Sequence, residues 1–152
     1  MNRQYPNSPV CAVGALIFQG KKILLVRRGK SPSKGKWSLP GGRLRLGEPL
    51  KAGVIREIKE ETQLLVKPIE IGKVVEHIIK DKEGKYEYHY VIVDYICQVV
   101  KGIPQASSDV IQVEFVPISQ LEHLNLTSGT AQVILEVFDS VSRSKHSSQP
   151  SV

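Results

Sequence analysis

Three glutamates close one amphipathic segment of this chain, and their spacing constrains its fold more than any other feature. Residues 42–64 read GRLRLGEPLKAGVIREIKEETQL. Leu50, Val54, Ile55 and Ile58 recur there at the offsets of one helical face, so the spacing predicts a helix over residues 50–63. Each helical residue turns the face by about 100°, which sets Glu61 nearly above Glu57 and Glu60 about 60° to its other side. The three carboxylates share one broad face, and the apolar stripe is expected on another. Like charges at i and i+4 destabilise a helix, and the helix dipole disfavours anions in its C-terminal half. Two arrangements answer this: a solvated acidic face, or a divalent cation that removes the repulsion. Arg56, four residues before Glu60, is placed to hold that acid by an ion pair.

Around this helix the apolar runs read as strands. Residues 10–18 are continuously apolar, residues 23–26 form a second run after the turn Gln19-Gly20-Lys21-Lys22, and the two are expected to form a hairpin. Residues 29–36 (GKSPSKGK) are a loop by composition. Trp37-Ser38-Leu39 is extended ahead of Pro40, and Pro40-Gly41-Gly42 is a tight turn. Residues 69–79 and 86–100 are β-rich and joined by a polar hairpin loop. Residues 110–116 form another strand, 118–121 a short helix, and 130–141 a final helix with Val133, Ile134, Val137, Phe138 and Val141 on one face. Strands, a helix, more strands and a last helix make a mixed sheet between helices.

With 152 residues the chain is expected to be one domain. Its polar ends, residues 1–8 and 143–152, read as flexible. No apolar run is long enough for a membrane span, and MNRQYPNSPV lacks the pattern of a secretory signal. Cys11 and Cys97 spell no metal motif and read as buried small hydrophobes, so a cytoplasmic, reducing setting is expected. The net charge of +6 is spread along the chain rather than gathered on one element. That favours a small anionic ligand over nucleic acid.

Gly42, five residues, Glu48, seven residues, then Arg56-Glu57-Ile58-Lys59-Glu60-Glu61 resembles the signature of the Nudix hydrolases. Six fixed residue types, at roughly one in twenty each, match by chance in ~10⁻⁶ of chains this long. Trp37-Ser38-Leu39-Pro40-Gly41-Gly42 also resembles the family's approach to its box, and the likeness extends over residues 9–142. One position departs from the pattern: Gln63 stands where the family has glycine, so the helix is expected to run on or to end differently.

The resemblance implies an α/β fold, an α/β/α sandwich with a mixed β-sheet. It implies hydrolysis, with Mg²⁺ or Mn²⁺, of a nucleoside diphosphate linked to another group. Carried onto this sequence, Glu57 and Glu61 are the principal metal ligands. Glu60 is a third ligand or an acid held by Arg56. Glu48 is a hydrogen-bonding or outer-sphere partner, and Gly41 offers its carbonyl. The family often adds a carboxylate from outside the helix as base or extra ligand. Asp109 is the candidate here, a simple turn aspartate being the alternative. Arg27 and Arg28, at the end of the second run, are candidate phosphate contacts or exposed strand-end charges. Tyr86, Tyr88 and Tyr90 alternate onto one sheet face, with His89 on the other.

The segment after His89 resembles small Nudix proteins assigned to ADP-ribose, which implies cleavage to AMP and ribose 5-phosphate by a monomer or homodimer. Lys80 stands where larger ADP-ribose enzymes carry a proline. A house-cleaning nucleoside triphosphate pyrophosphohydrolase and a non-catalytic nucleotide-binding regulator are the alternatives.

Overall fold

The computed structural model describes residues 3–147. The apolar run at 10–18 does not become one arm of a hairpin. It divides at Ile17: β1 (Val10–Leu16) enters one sheet, and β2 (Phe18–Gln19) turns back onto β3 (Lys22–Arg28) in another. Val13, Ala15 and Ile17 pack into one apolar cluster while Leu16 and Phe18 join a second. Both faces of the run are used, so no alternation marks the break.

The first sheet has the order β5-β1-β7-β6, with β5 Gly41–Arg43, β6 Leu65–Lys80 and β7 Tyr86–Lys101. It is mixed: β1 runs parallel to β7 and antiparallel to β5. In the second sheet β3 pairs antiparallel with β2, β4 (Trp37–Ser38) and β8 (Val110–Pro117). α1 (Leu50–Thr62) lays Val54 and Ile58 on Val13, Ala15, Tyr95 and Cys97. α2 (Thr130–Ser147) packs Val133, Ile134 and Val137 with Leu16, Ile23 and Leu25. Each such buried aliphatic side chain contributes about 1.5–3 kcal/mol. The result is the expected α/β/α sandwich, and no helix among the described residues is long and apolar enough to cross a membrane.

Four local expectations change. α2 runs to Ser147, because Val141 still packs on the second cluster and Arg143 donates to Asp139 at 3.2 Å. The expected tail is therefore helical over 143–147, and 148–152 lie outside the described residues. At the other end, Tyr5 donates its backbone N–H to the Glu87 carbonyl (2.8 Å) and its hydroxyl to Asp81 (2.9 Å). This ties the opening segment to the β6–β7 hairpin. Cys11 is exposed, since the cover on its face of β1 does not reach the strand's start, whereas Cys97 is buried. Finally, α1 stops on schedule: Gln63 takes the left-handed conformation (φ 62°) and its N–H bonds the Lys59 carbonyl at 3.0 Å.

Candidate active site

The turn at Pro40-Gly41-Gly42 brings bare backbone up to α1. Through β5, Gly42 pairs with Val13 and Gly41 with Gly14. A Cβ on Gly41 would lie 2.2 Å from the Val13 carbonyl oxygen, and one on Gly42 would lie 2.5 Å from Glu57 Oε2. At Gly41 the close neighbour is the β1 backbone, and at its φ of 153° only glycine is accommodated there; at Gly42 it is the movable end of the Glu57 side chain.

The helix does not keep all its acids apart from the apolar stripe. Glu61 comes seven residues after Val54, within about 20° of it around the helix, and is 5 % exposed. Its Oε1 accepts the Gly41 N–H at 2.8 Å, and its Oε2 accepts from Arg28 Nη1. Burial pushes the Glu61 carboxyl pKa up, while Arg28 and the Gly41 N–H oppose that shift. Arg28 also donates to Ser38 Oγ (2.8 Å) and to the carbonyls of Leu39 (3.1 Å) and Gly41 (3.2 Å). Its guanidinium is thus an internal strut across the turn. Arg27 is exposed and donates to the Gly35 carbonyl at 3.2 Å.

Arg56 organises the other acids. It grips Glu48 with two hydrogen bonds, at 2.7 and 2.9 Å, and reaches Glu57 Oε1 at 2.8 Å, Glu60 Oε2 at 3.3 Å and the Arg43 carbonyl at 3.0 Å. The sequence suggested Glu60 as its partner; the tighter one is Glu48, whose carboxyl this bidentate grip holds down at about 2. Glu60 stays on the outer side, with Arg45 at 3.5 Å. Glu57 Oε2, against Gly42, takes no hydrogen bond from the described residues.

The last carbonyls of α1 are capped from the loop before β8. Gln105 N–H bonds the Thr62 carbonyl (2.9 Å), Ser107 N–H that of Glu61 (3.2 Å), and Ser107 Oγ that of Glu60. Asp109 follows in this loop; its carboxylate pairs with Lys30 at 2.9 Å and is half-exposed. No bond joins it to the helix acids among the described residues. Nor do three His, Cys, Asp or Glu side chains among them already form a metal cluster, since Arg28 and Arg56 hold oxygens of these acids. The donor chemistry still suits a hard cation: Glu57, Glu61 and the Gly41 carbonyl offer only oxygen.

One acid escaped the sequence reading. Asp94 is 4 % exposed on β7, and burial pushes its pKa up to about 7. The available signal was an acid inside the apolar run HYVIVDY. On the same strand the rings of Tyr88 and Tyr90 stack with centroids 6.3 Å apart, while Tyr86 lies under Lys80 at 5.2 Å.

Residues 9–137 match the NUDIX domain family. An ADP-ribose pyrophosphatase of Methanocaldococcus jannaschii is 35 % identical over 116 residues, which are 76 % of this chain and 66 % of that protein. An 8-oxo-dGDP phosphatase of Mus musculus is 35 % identical over 69 residues, 44 % of this chain and 21 % of that one. The chain thus spans less than two thirds of either relative's length. Among solved structures, a MutT NUDIX hydrolase from Burkholderia pseudomallei superposes with a TM-score of 0.76 at 28 % identity, covering 86 % of this chain and 99 % of that one.

Proposed function

The chain belongs to the Nudix family, and on that premise we propose that it hydrolyses the phosphoanhydride of nucleoside diphosphate derivatives, cutting ADP-ribose to AMP and ribose 5-phosphate. The observation that carries this reading is the oxygen set of Glu57, Glu61 and Gly41, gathered by a side-chain-free turn and braced by two arginines. These residues would hold Mg²⁺ or Mn²⁺, with Glu60 as a third carboxylate at the rim. A bound cation supplies neutralisation of the phosphate oxygens and a water acidified for attack.

The chain's own residues supply the rest. Gly42 lets the Glu57 carboxylate lie against the turn, and Gly41 lets the turn lie against β1, which sets the Gly41 carbonyl and the helix acids for one ligand. Arg56, anchored on Glu48, fixes Glu57, and Arg28 keeps Glu61 compatible with burial. The water oxygen bonds to one phosphorus as the bridging oxygen leaves with the other phosphate. Asp109, in the loop that caps α1, is the proposed base if it releases Lys30. The protein acts on small nucleotides rather than nucleic acid, in the cytoplasm, as a monomer or homodimer.

ADP-ribose rests on the archaeal relative named above. The mouse relative supports a second reading, in which an oxidised nucleotide is cleaved by the same acids. A panel of ADP-ribose, nucleotide sugars, and normal and oxidised nucleoside triphosphates, assayed with Mg²⁺ for release of the corresponding nucleoside monophosphate, separates them. ADP-ribose is expected to give the highest kcat/KM. A triphosphate preferred by about tenfold or more replaces the first reading with the second.

A further inference from the structure

We propose that Asp94 is a specificity-determining residue: its carboxyl takes a hydrogen bond from an N–H or O–H donor on the nucleoside part of the substrate. This deepens the nucleotide reading given above and rests on it. The placement comes from one transverse row of the first sheet. Gly41 on β5 pairs with Gly14 on β1, and Gly14 pairs with Asp94 on β7. Val13 and Ala15, on either side of Gly14, pack with α1, as does Tyr95 beside Asp94. Alternation therefore turns Gly14 and Asp94 to the opposite face.

Gly14 has no left-handed backbone to explain it. Space explains it: a Cβ there would lie 2.2 Å from Asp94 Oδ1 and 3.4 Å from the Pro40 carbonyl oxygen. One position without a side chain, Gly14, thus lies between Asp94 and the turn that carries the Gly41 carbonyl. Two strand spacings are about 10 Å, comparable with the reach from a nucleotide's phosphate to its sugar and base.

The carboxyl itself has no internal role that accounts for its burial. No hydrogen bond or ion pair reaches it from the described residues, although Asp94 is 4 % exposed. Every fully enclosed side-chain oxygen or nitrogen among those residues has a hydrogen-bond partner. The unpartnered Asp94 oxygens are therefore the part of the residue that still reaches solvent, over Gly14 and close to the Pro40 carbonyl. A buried carboxyl without a partner costs stability, and a ligand donor would repair that deficit. Burial holds its pKa near 7, so at neutral pH it both donates and accepts. Tyr88 and Tyr90 lie further along the same face of β7, where a flat ring finds a surface.

The test is calorimetric titration of AMP and of inorganic pyrophosphate, each with Mg²⁺, into wild type, Asp94→Leu and Asp94→Asn. AMP affinity is expected to fall by about tenfold or more in Asp94→Leu and by less in Asp94→Asn, which keeps an acceptor. Pyrophosphate affinity is expected to stay the same in all three. IMP and 2′-deoxy-AMP identify the donor: the analogue that binds wild type and Asp94→Leu alike lacks it. Equal AMP affinity in wild type and Asp94→Leu overturns the proposal. So does a parallel loss of pyrophosphate binding, or a wild type that binds no AMP. A wild type that binds AMP through Asp94 but cleaves no phosphoanhydride overturns the proposed activity alone.

Discussion

Arg28, at the end of β3, donates to Glu61, near the end of α1, across 33 positions of sequence. The arginine is the counter-charge that lets a carboxylate lie buried beside the Gly41 turn. Replacing it by methionine leaves that carboxylate enclosed and unpaired, which costs about 3 kcal/mol. A cation at the same acids restores part of the loss. Arg28→Met is therefore expected to melt lower than wild type without metal and to gain more from Mg²⁺. Equal Mg²⁺ increments in thermal melts of the two proteins would show that Arg28 and the cation do not share Glu61.

Glu57→Gln and Glu61→Gln are each expected to cut turnover by at least ~10²-fold while the fold persists, since each removes charge assigned to the cation. Mg²⁺ should raise the melting temperature of wild type by binding only the native acids, and Glu61→Gln should lose most of that rise. Near-normal turnover in either variant sinks the ligand assignment.

Gln63 holds a left-handed φ of 62° at the end of α1. A side chain costs about 1–2 kcal/mol in that conformation, and glycine returns part of this as chain entropy in the unfolded state. Gln63→Gly should stabilise the protein by about 0.5 kcal/mol. Denaturant titration reads the change directly, and a lower midpoint contradicts the strain.

This helix also shows what the sequence could and could not disclose. The acids and glycines of residues 42–61 were legible because they lie on one helix and one turn, where spacing alone sets geometry. Arg28 was visible as a phosphate contact or a strand-end charge, not as the partner of Glu61. Its partner depends on β3 lying beside β4 and the Gly41 turn, a tertiary fact. The division at Ile17 was hidden because residues buried on both faces carry no period. Tyr5 lay in a polar stretch, and its partner Asp81 is 76 residues away. Glu61 falls within about 40° of Glu57 and about 20° of Val54, so helical spacing alone puts it on the border of the acidic and apolar faces.

The raised pKa of Asp94 has a definite sign. Its ordinary value is 3.8 and its folded value about 7, so between these the folded chain holds a proton that the unfolded chain has lost. Stability therefore falls as pH rises through that window and levels off above it. Asp94→Leu should remove this fall, so its advantage over wild type grows from about pH 4 to about pH 7. Urea titrations across this range check it. A constant difference between the two proteins would mean that the carboxyl titrates normally.

β4 has a use that its two residues conceal. Trp37 is the chain's single tryptophan, 8 % exposed and packed in the second cluster. Its neighbour Ser38 accepts from Arg28, and Thr127 donates to the Trp37 carbonyl at 2.9 Å. The indole therefore stands one residue from the strut that braces Glu61, with no second tryptophan to dilute its emission. Unfolding can be followed by intrinsic fluorescence without a label, from a chromophore in the second cluster whose strand neighbour, Ser38, meets Arg28.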